Sequence, residues 1–195
     1  MIFCKIIYYL EPLKMRKPVK LLKDWVALKH KGQLIRESGE PYFNHVAAVA
    51  AMASGATDFG YEIGLCHDLL EDTYATINEL RDALLSFGYS QSAAMLISSC
   101  VLELTDVFTK SAYPGLGKSA RKKMEAARLL TISPAAQTVK YADLIYNIGW
   151  VLKYDKKRAK KYLLKKKRLL NALIEGDKDL HSKALSAVLS GLQSL

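Results

Sequence analysis

Cysteine is scarce and scattered. Cys4, Cys66 and Cys100 form no CxxC pair and no ladder of close spacings. That excludes a disulfide framework and a zinc–thiolate site, and it makes a reducing, cytoplasmic compartment the expectation. No window holds about eighteen consecutive apolar residues, so no membrane span is expected. The N-terminal MIFCKIIYYLEPLKM is apolar, but Lys5 interrupts it and no small-residue cleavage site follows, which argues against a signal peptide. Residues 1–15 read instead as an N-terminal extension, either an edge strand or a short docking segment, ahead of a domain beginning near residue 16. Glycine and proline number only 11 and 5 in 195 residues, and no repeat or low-complexity tract occurs; extensive disorder is excluded on those grounds. Acids are outnumbered, 19 against 29 Lys and Arg, for a net charge of +10. Such a field draws phosphates of any kind and does not distinguish a nucleotide from a nucleic acid.

Half of the residues are apolar, enough for a sizeable core, and they recur almost everywhere at helical spacing. Leu21, Leu22, Trp25, Val26 and Leu28 mark a first helix. The loop GQLIRESGEP ends at Pro41, where a helix can begin, and an Ala- and Val-rich segment from Tyr42 to Ala53 follows. Asp58 is placed to cap a helix from Phe59 to Leu70. Thr76 and Glu79 have the spacing of a capping box, with Gly88 as the stop. Ser90 to Leu104, Ala120 to Leu130, Ala135 to Leu152, Asp155 to Ile174 and Asp177 to Leu192 complete the series. The expectation is an all-α domain of about eight to nine helices.

Against that background one stretch stands out. GLCHDLLEDT, residues 64–73, places His67, Asp68, Glu71 and Asp72 in an apolar run without a Lys or Arg. On a helix His67 and Glu71 share a face, as do Asp68 and Asp72. Like charges at that spacing repel, and burial raises the cost. A bound divalent cation would relieve both problems. A lone His–Asp pair on a helix is more often a solvated surface pair. Here, however, His45 opens another apolar helix, and Asp143, with Asn147 four residues on, sits in a third. His nitrogen with carboxylate oxygen suits Mn, Fe or Zn. His30 and His181 read as ordinary surface or core residues.

The order and spacing of RESGEPYFNH, CHDLLEDT, ATINEL and VKYADLIYNI resemble the hydrolase domain of the RelA/SpoT alarmone enzymes, within the HD-domain metal-dependent phosphohydrolases. The likeness covers roughly residues 19–175. Its patterns are R-x-[ST]-G-E-P-Y-x-x-H, H-D-x-x-E-D-T and K-x-A-D-x-x-x-N. It implies a helical HD bundle over residues 16–195 as a single, stand-alone hydrolase domain. The resemblance also implies His45, His67, Asp68 and Asp143 as metal ligands, with Mn²⁺ the usual ion. Glu71 and Asp72 would orient and deprotonate the attacking water. Arg36 would contact the nucleotide, Asn147 would line its pocket, and Lys140 and Arg121 would meet phosphate. The implied reaction removes the 3′-diphosphate from ppGpp or pppGpp, giving GDP or GTP and pyrophosphate. Two alternatives stay open: another nucleotide substrate, such as NADPH losing its 2′-phosphate, and a non-catalytic scaffold that binds nucleotide or RNA. The expected partner is a small nucleotide, not a membrane, and the oligomeric state is left open. The basic segment YDKKRAKKYLLKKKRLLNALI reads first as the solvated face of a core helix. No base-reading motif or aromatic platform accompanies its charges, so nucleic acid is not the expected partner.

Overall fold

The structure, a computed structural model, describes residues 16–195; the segment read as an edge strand or docking piece lies outside them. The described chain is helical throughout. Its helices are α1 (Lys17–Lys29), α2 (Phe43–Ala53), α3 (Gly60–Cys66), α4 (Leu69–Asp72), α5 (Ile77–Ser86), α6 (Gln91–Leu104), α7 (Lys118–Arg128), α8 (Pro134–Tyr154), α9 (Lys156–Leu170) and α10 (Lys178–Gln193), with a 3-10 turn at Leu129–Thr131. Taking α3 and α4 together, these are the nine segments that the periodicity predicts. No helix among the described residues is long and apolar enough to cross a membrane.

Several ends form for local reasons. The capping box is present in full: Thr76 accepts from Glu79 N, and the Glu79 side chain accepts from Thr76 N. Ser90, Ser133 and Asp177 cap α6, α8 and α10 through their side chains. One expected cap does not form. Phe59, not Asp58, precedes α3; it has a left-handed backbone with φ 53° and no side-chain cap.

The 21-residue α8 is the axis of the fold. It packs on α2, α3 and α6 on one side and on α9 and α10 on the other. Ala136, Val139 and Ala142 join the larger core, made with α1 to α6. Tyr141, Leu144 and Ile148 face the smaller core of α9 and α10. A helix sandwiched in this way must be apolar nearly all round. Asp143 is the charged residue buried on it.

The closest approach is between α2 and α3. A Cβ built on Gly64 would lie 2.6 Å from Ala50 Cα, and one on Gly60 would lie 2.2 Å from the Ala53 carbonyl oxygen. These glycines, four apart on one face, let the two backbones touch. That contact brings the end of α3, and therefore His67, against the helix that carries His45.

Candidate metal centre and active site

The expected helix through Leu70 is interrupted. It stops at Cys66 and resumes at Leu69, with Asp68 at φ −99° and ψ 1° between the two pieces. The His67 Nδ1–H donates to the Gly64 carbonyl at 2.8 Å. In an unbroken helix that carbonyl would serve the Asp68 N–H. The break therefore has a local cause, and it turns both polar side chains inward.

This hydrogen bond also fixes the His67 tautomer. With the proton on Nδ1, the Nε2 lone pair is free, and Nε2 is buried without a well-directed hydrogen-bond partner. It lies 3.1 Å from Asp68 Oδ2 and 3.8 Å from Asp143 Oδ1. His45 Nε2 lies 3.2 Å and 3.6 Å from the same two oxygens. The ligand atoms of His45, His67 and Asp143 all fall within 4.8 Å of one another. Two imidazoles and two carboxylates, from α2, the α3–α4 break and α8, thus aim at one point. An imidazole held through Nδ1 with Nε2 aimed at carboxylates is the arrangement of a metal ligand. The donor set fits a divalent cation.

The surrounding side chains orient these donors. The Tyr42 hydroxyl donates to Asp68 Oδ2 at 2.7 Å. Its ring stacks on buried His30, with centroids 5.3 Å apart, and His30 Nδ1 is 2.8 Å from Gln33 Oε1. Asn147 Nδ2 donates to Asp143 Oδ1 at 2.5 Å, and the Lys140 ammonium pairs with Asp143 Oδ2 at 2.9 Å. The Tyr146 ring packs edge-on to His45 at 4.6 Å. The sequence reading assigned no role to Tyr42. Its position three residues before His45 in GEPYFNH was the available signal.

The electrostatics are those of an acidic site waiting for positive charge. Burial alone would lower the His67 pKa, but the Asp68 and Asp143 carboxylates outweigh it and push it up to about 10. Burial would raise Asp143, and Lys140 and His67 hold it well below the usual carboxylate range instead. Asp68 is held down in the same way by His67 and His45. A bound dication would take over this stabilising role and leave both imidazoles neutral.

Glu71 and Asp72 stand one turn beyond. Glu71 Oε1 accepts from the Asp106 backbone N–H at 2.7 Å. Partial burial, with the Asp106 and Asp68 carboxylates adding to it, raises the Glu71 pKa to about 7, and the Asp106 N–H opposes the rise. Asp72 is exposed, and its backbone carbonyl accepts from the Gln33 amide. Both acids line a cleft of about 540 Å³ shared with Lys29, Lys31, Gln33, Thr73 and Tyr74. The loop carrying Asp106 is held from behind. Buried Glu125 on α7 accepts from Val107 N and Phe108 N at 2.9 and 3.0 Å, and it pairs with Arg128.

The other sequence candidates are placed less centrally. Arg36 is exposed on the 33–42 loop, without an ion pair among the described residues. Arg121 donates to the Leu116 carbonyl in its own loop. Neither is brought against the four-ligand cluster.

A buried cluster of His45, the His67–Asp68 pair and Asp143, set in an all-helical bundle, is the HD-type architecture. No protein-family model matches the chain. Among curated proteins, the guanosine-3′,5′-bis(diphosphate) 3′-pyrophosphohydrolase MESH1 of Xenopus tropicalis is 30% identical over 176 residues, 80% of this chain and 88% of that protein. The human protein of the same name is 34% identical over 130 residues, 64% of each chain. The chain therefore spans 64% of the length of the human and mouse relatives that it matches. A solved structure described as a metazoan ortholog of SpoT that hydrolyzes ppGpp superposes with a TM-score of 0.71. It is 24% identical, covering 90% of this chain and 96% of that one, and it bears out the fold. The chain belongs to the family of the MESH1 guanosine-3′,5′-bis(diphosphate) 3′-pyrophosphohydrolases.

Proposed function

We propose that this protein is a divalent-metal-dependent hydrolase, with Mn²⁺ as its ion, that removes the 3′-diphosphate of ppGpp or pppGpp. The observation that carries the reading is the convergence of His45, His67, Asp68 and Asp143 on one point beside Glu71, in a chain whose relatives bear that activity in their names. When bound, the ion supplies a Lewis acid and a water of lowered pKa. Water oxygen bonds to the phosphorus on O3′, the O3′–P bond breaks, O3′ takes up a proton to become the ribose 3′-hydroxyl, and pyrophosphate departs.

The side chains divide this work. Glu71 is fixed through Oε1, which leaves its second oxygen to accept a proton from the water. Asp72 lines the same cleft and helps to orient that water. Tyr42 restrains Asp68, and Asn147 restrains Asp143 while lining the nucleotide pocket. Lys140, with its charge held by Asp143, stands where negative charge grows on the phosphoryl oxygens. Arg36, exposed and without an ion pair among the described residues, can meet the nucleotide, and Arg121 offers a second cation on release from its loop carbonyl.

The test incubates the purified, Mn²⁺-loaded protein with ppGpp beside an Asp68→Ala control. GDP and pyrophosphate released by the wild type alone are the expected result. No release from a metal-loaded wild type would remove the substrate assignment, and phosphate release from NADPH would replace it.

A further inference from the structure

Helix α9 holds an anomaly. Its inward stripe is Ala159, Leu163 and Leu170, all fully buried, with the two leucines in the smaller core. Position 166, three residues after Leu163 and four before Leu170, continues that stripe. An apolar residue belongs there, and the chain has Lys166. The cations of the same helix are exposed except Lys166 and Lys167, which are half-buried, and of these two it is Lys166 that falls on the inward stripe. Its ammonium lies 5.2 Å from the Tyr162 ring centroid, and it has no carboxylate within ion-pair distance among the described residues.

The charges that face Lys166 are Lys140, Asp143, Asp106 and Lys122. They belong to α8, to the loop that holds Glu71, and to α7. The stripe that Lys166 continues packs on α8, the helix that carries Lys140 and Asp143, and there Lys140 already pairs with Asp143 Oδ2. A half-buried ammonium that shares its surroundings with Lys140, while Asp143 is already engaged, is unfavourable unless an anion completes the group. Burial, with Lys140 adding to it, pushes the Lys166 pKa down to about 8.

We infer that Lys166 is a specificity-determining contact for the substrate, binding a phosphate oxygen of the diphosphate that departs. This rests on the hydrolase reading above and names the group that α9 adds to it. The stem of Lys166 follows the Tyr162 ring, and its head meets the polyphosphate beside Lys140.

The test compares Lys166→Met, Lys166→Arg and Lys165→Met in the full chain loaded with Mn²⁺. Inorganic pyrophosphate is the probe, titrated by calorimetry without turnover. Lys166→Met should weaken pyrophosphate binding about ten-fold or more. Lys166→Arg should restore most of it, and Lys165→Met, which removes the same charge from the exposed face, should stay within about two-fold. The melting temperature of Lys166→Met should not fall, because methionine fits the stripe better. In ppGpp turnover the loss should fall on KM more than on kcat. Equal losses at 165 and 166, no loss at 166, or no binding of pyrophosphate by the wild type would each overturn the inference. A wild type that ignores ppGpp but shows the 166-specific pyrophosphate effect would overturn the ppGpp assignment and keep Lys166 as the contact for the diphosphate of another substrate of the same hydrolase.

Discussion

Helices α2 and α3 on one flank of α8, and α9 on the other, are built from opposite materials. FNHVAAVAAMA carries no Lys, Arg, Asp or Glu, and it meets GYEIGLC through backbone. KKRAKKYLLKKKRLL has Lys or Arg at nine of fifteen positions and meets α8 through a narrow leucine stripe. The first contact has no slack, because no side chain separates Gly64 from Ala50. The second is cushioned by side chains that can move. Precision is therefore concentrated where the two histidines of the candidate metal centre must be held a few ångströms apart. The basic flank tolerates change except where a single side chain is turned inward. Helix α7 follows the same rule: it is a basic helix whose one buried charged residue, Glu125, fastens the loop behind Glu71.

Three substitutions bear on this contrast, beginning with the largest effect. Glu71→Gln should lower turnover by roughly 10²–10⁴-fold, the usual scale of general acid–base assistance, with metal content unchanged. Elemental analysis of the purified variant checks the second half, and an empty site would mean that Glu71 is a ligand instead. Gly64→Ala drives a methyl group into the Ala50 backbone and should cost about 1–3 kcal/mol or more. Metal affinity should fall with it, because His67 moves away from His45. Its counterpart is Gly149→Ala on α8, where a Cβ meets nothing within 4 Å; there the gain in helix propensity should stabilise by up to about 1 kcal/mol. Chemical denaturation of both variants decides whether the tight flank is as intolerant as its geometry demands.

A pH-dependent effect concerns Glu125. Burial works to raise its pKa, but Arg128 and the backbone N–H groups of Phe108 and Val107 outweigh burial and hold it below the ordinary carboxylate value. A carboxylate with a depressed folded pKa stabilises fully above its unfolded pKa, and that contribution is lost as pH falls through the folded one. Glu125→Gln should therefore cost about 1–3 kcal/mol near neutrality. The gap to the wild type should close in acid. A gap that persists unchanged at low pH would show that the clamp does not depend on charge.

Much of the site was legible before any packing was known. His67, Asp68, Glu71 and Asp72 were conspicuous as polar residues in an apolar run, and Asp143 and Asn147 as an i, i+4 pair on a buried helix. The Thr76 box was equally readable, because a cap needs only residues a few positions apart. The break at His67 was not. Periodicity runs through it, and what stops the helix is a side chain taking a carbonyl from its own backbone. Tyr42 was passed over because nothing local links its hydroxyl to Asp68, 26 residues away. Lys166 was hidden among like neighbours, since a cation on a basic helix is ordinarily solvated.

The order of residues by itself determined the helices, their caps and the supply of metal-ligating groups, because each depends on contacts within a turn or two of chain. It did not determine that His45, Asp68 and Asp143 would meet. That was decided by Gly60 and Gly64 closing α3 onto α2 and by α8 running between two cores. Convergence of distant side chains is a property of packed surfaces, and which surfaces pack depends on shape complementarity along the whole chain.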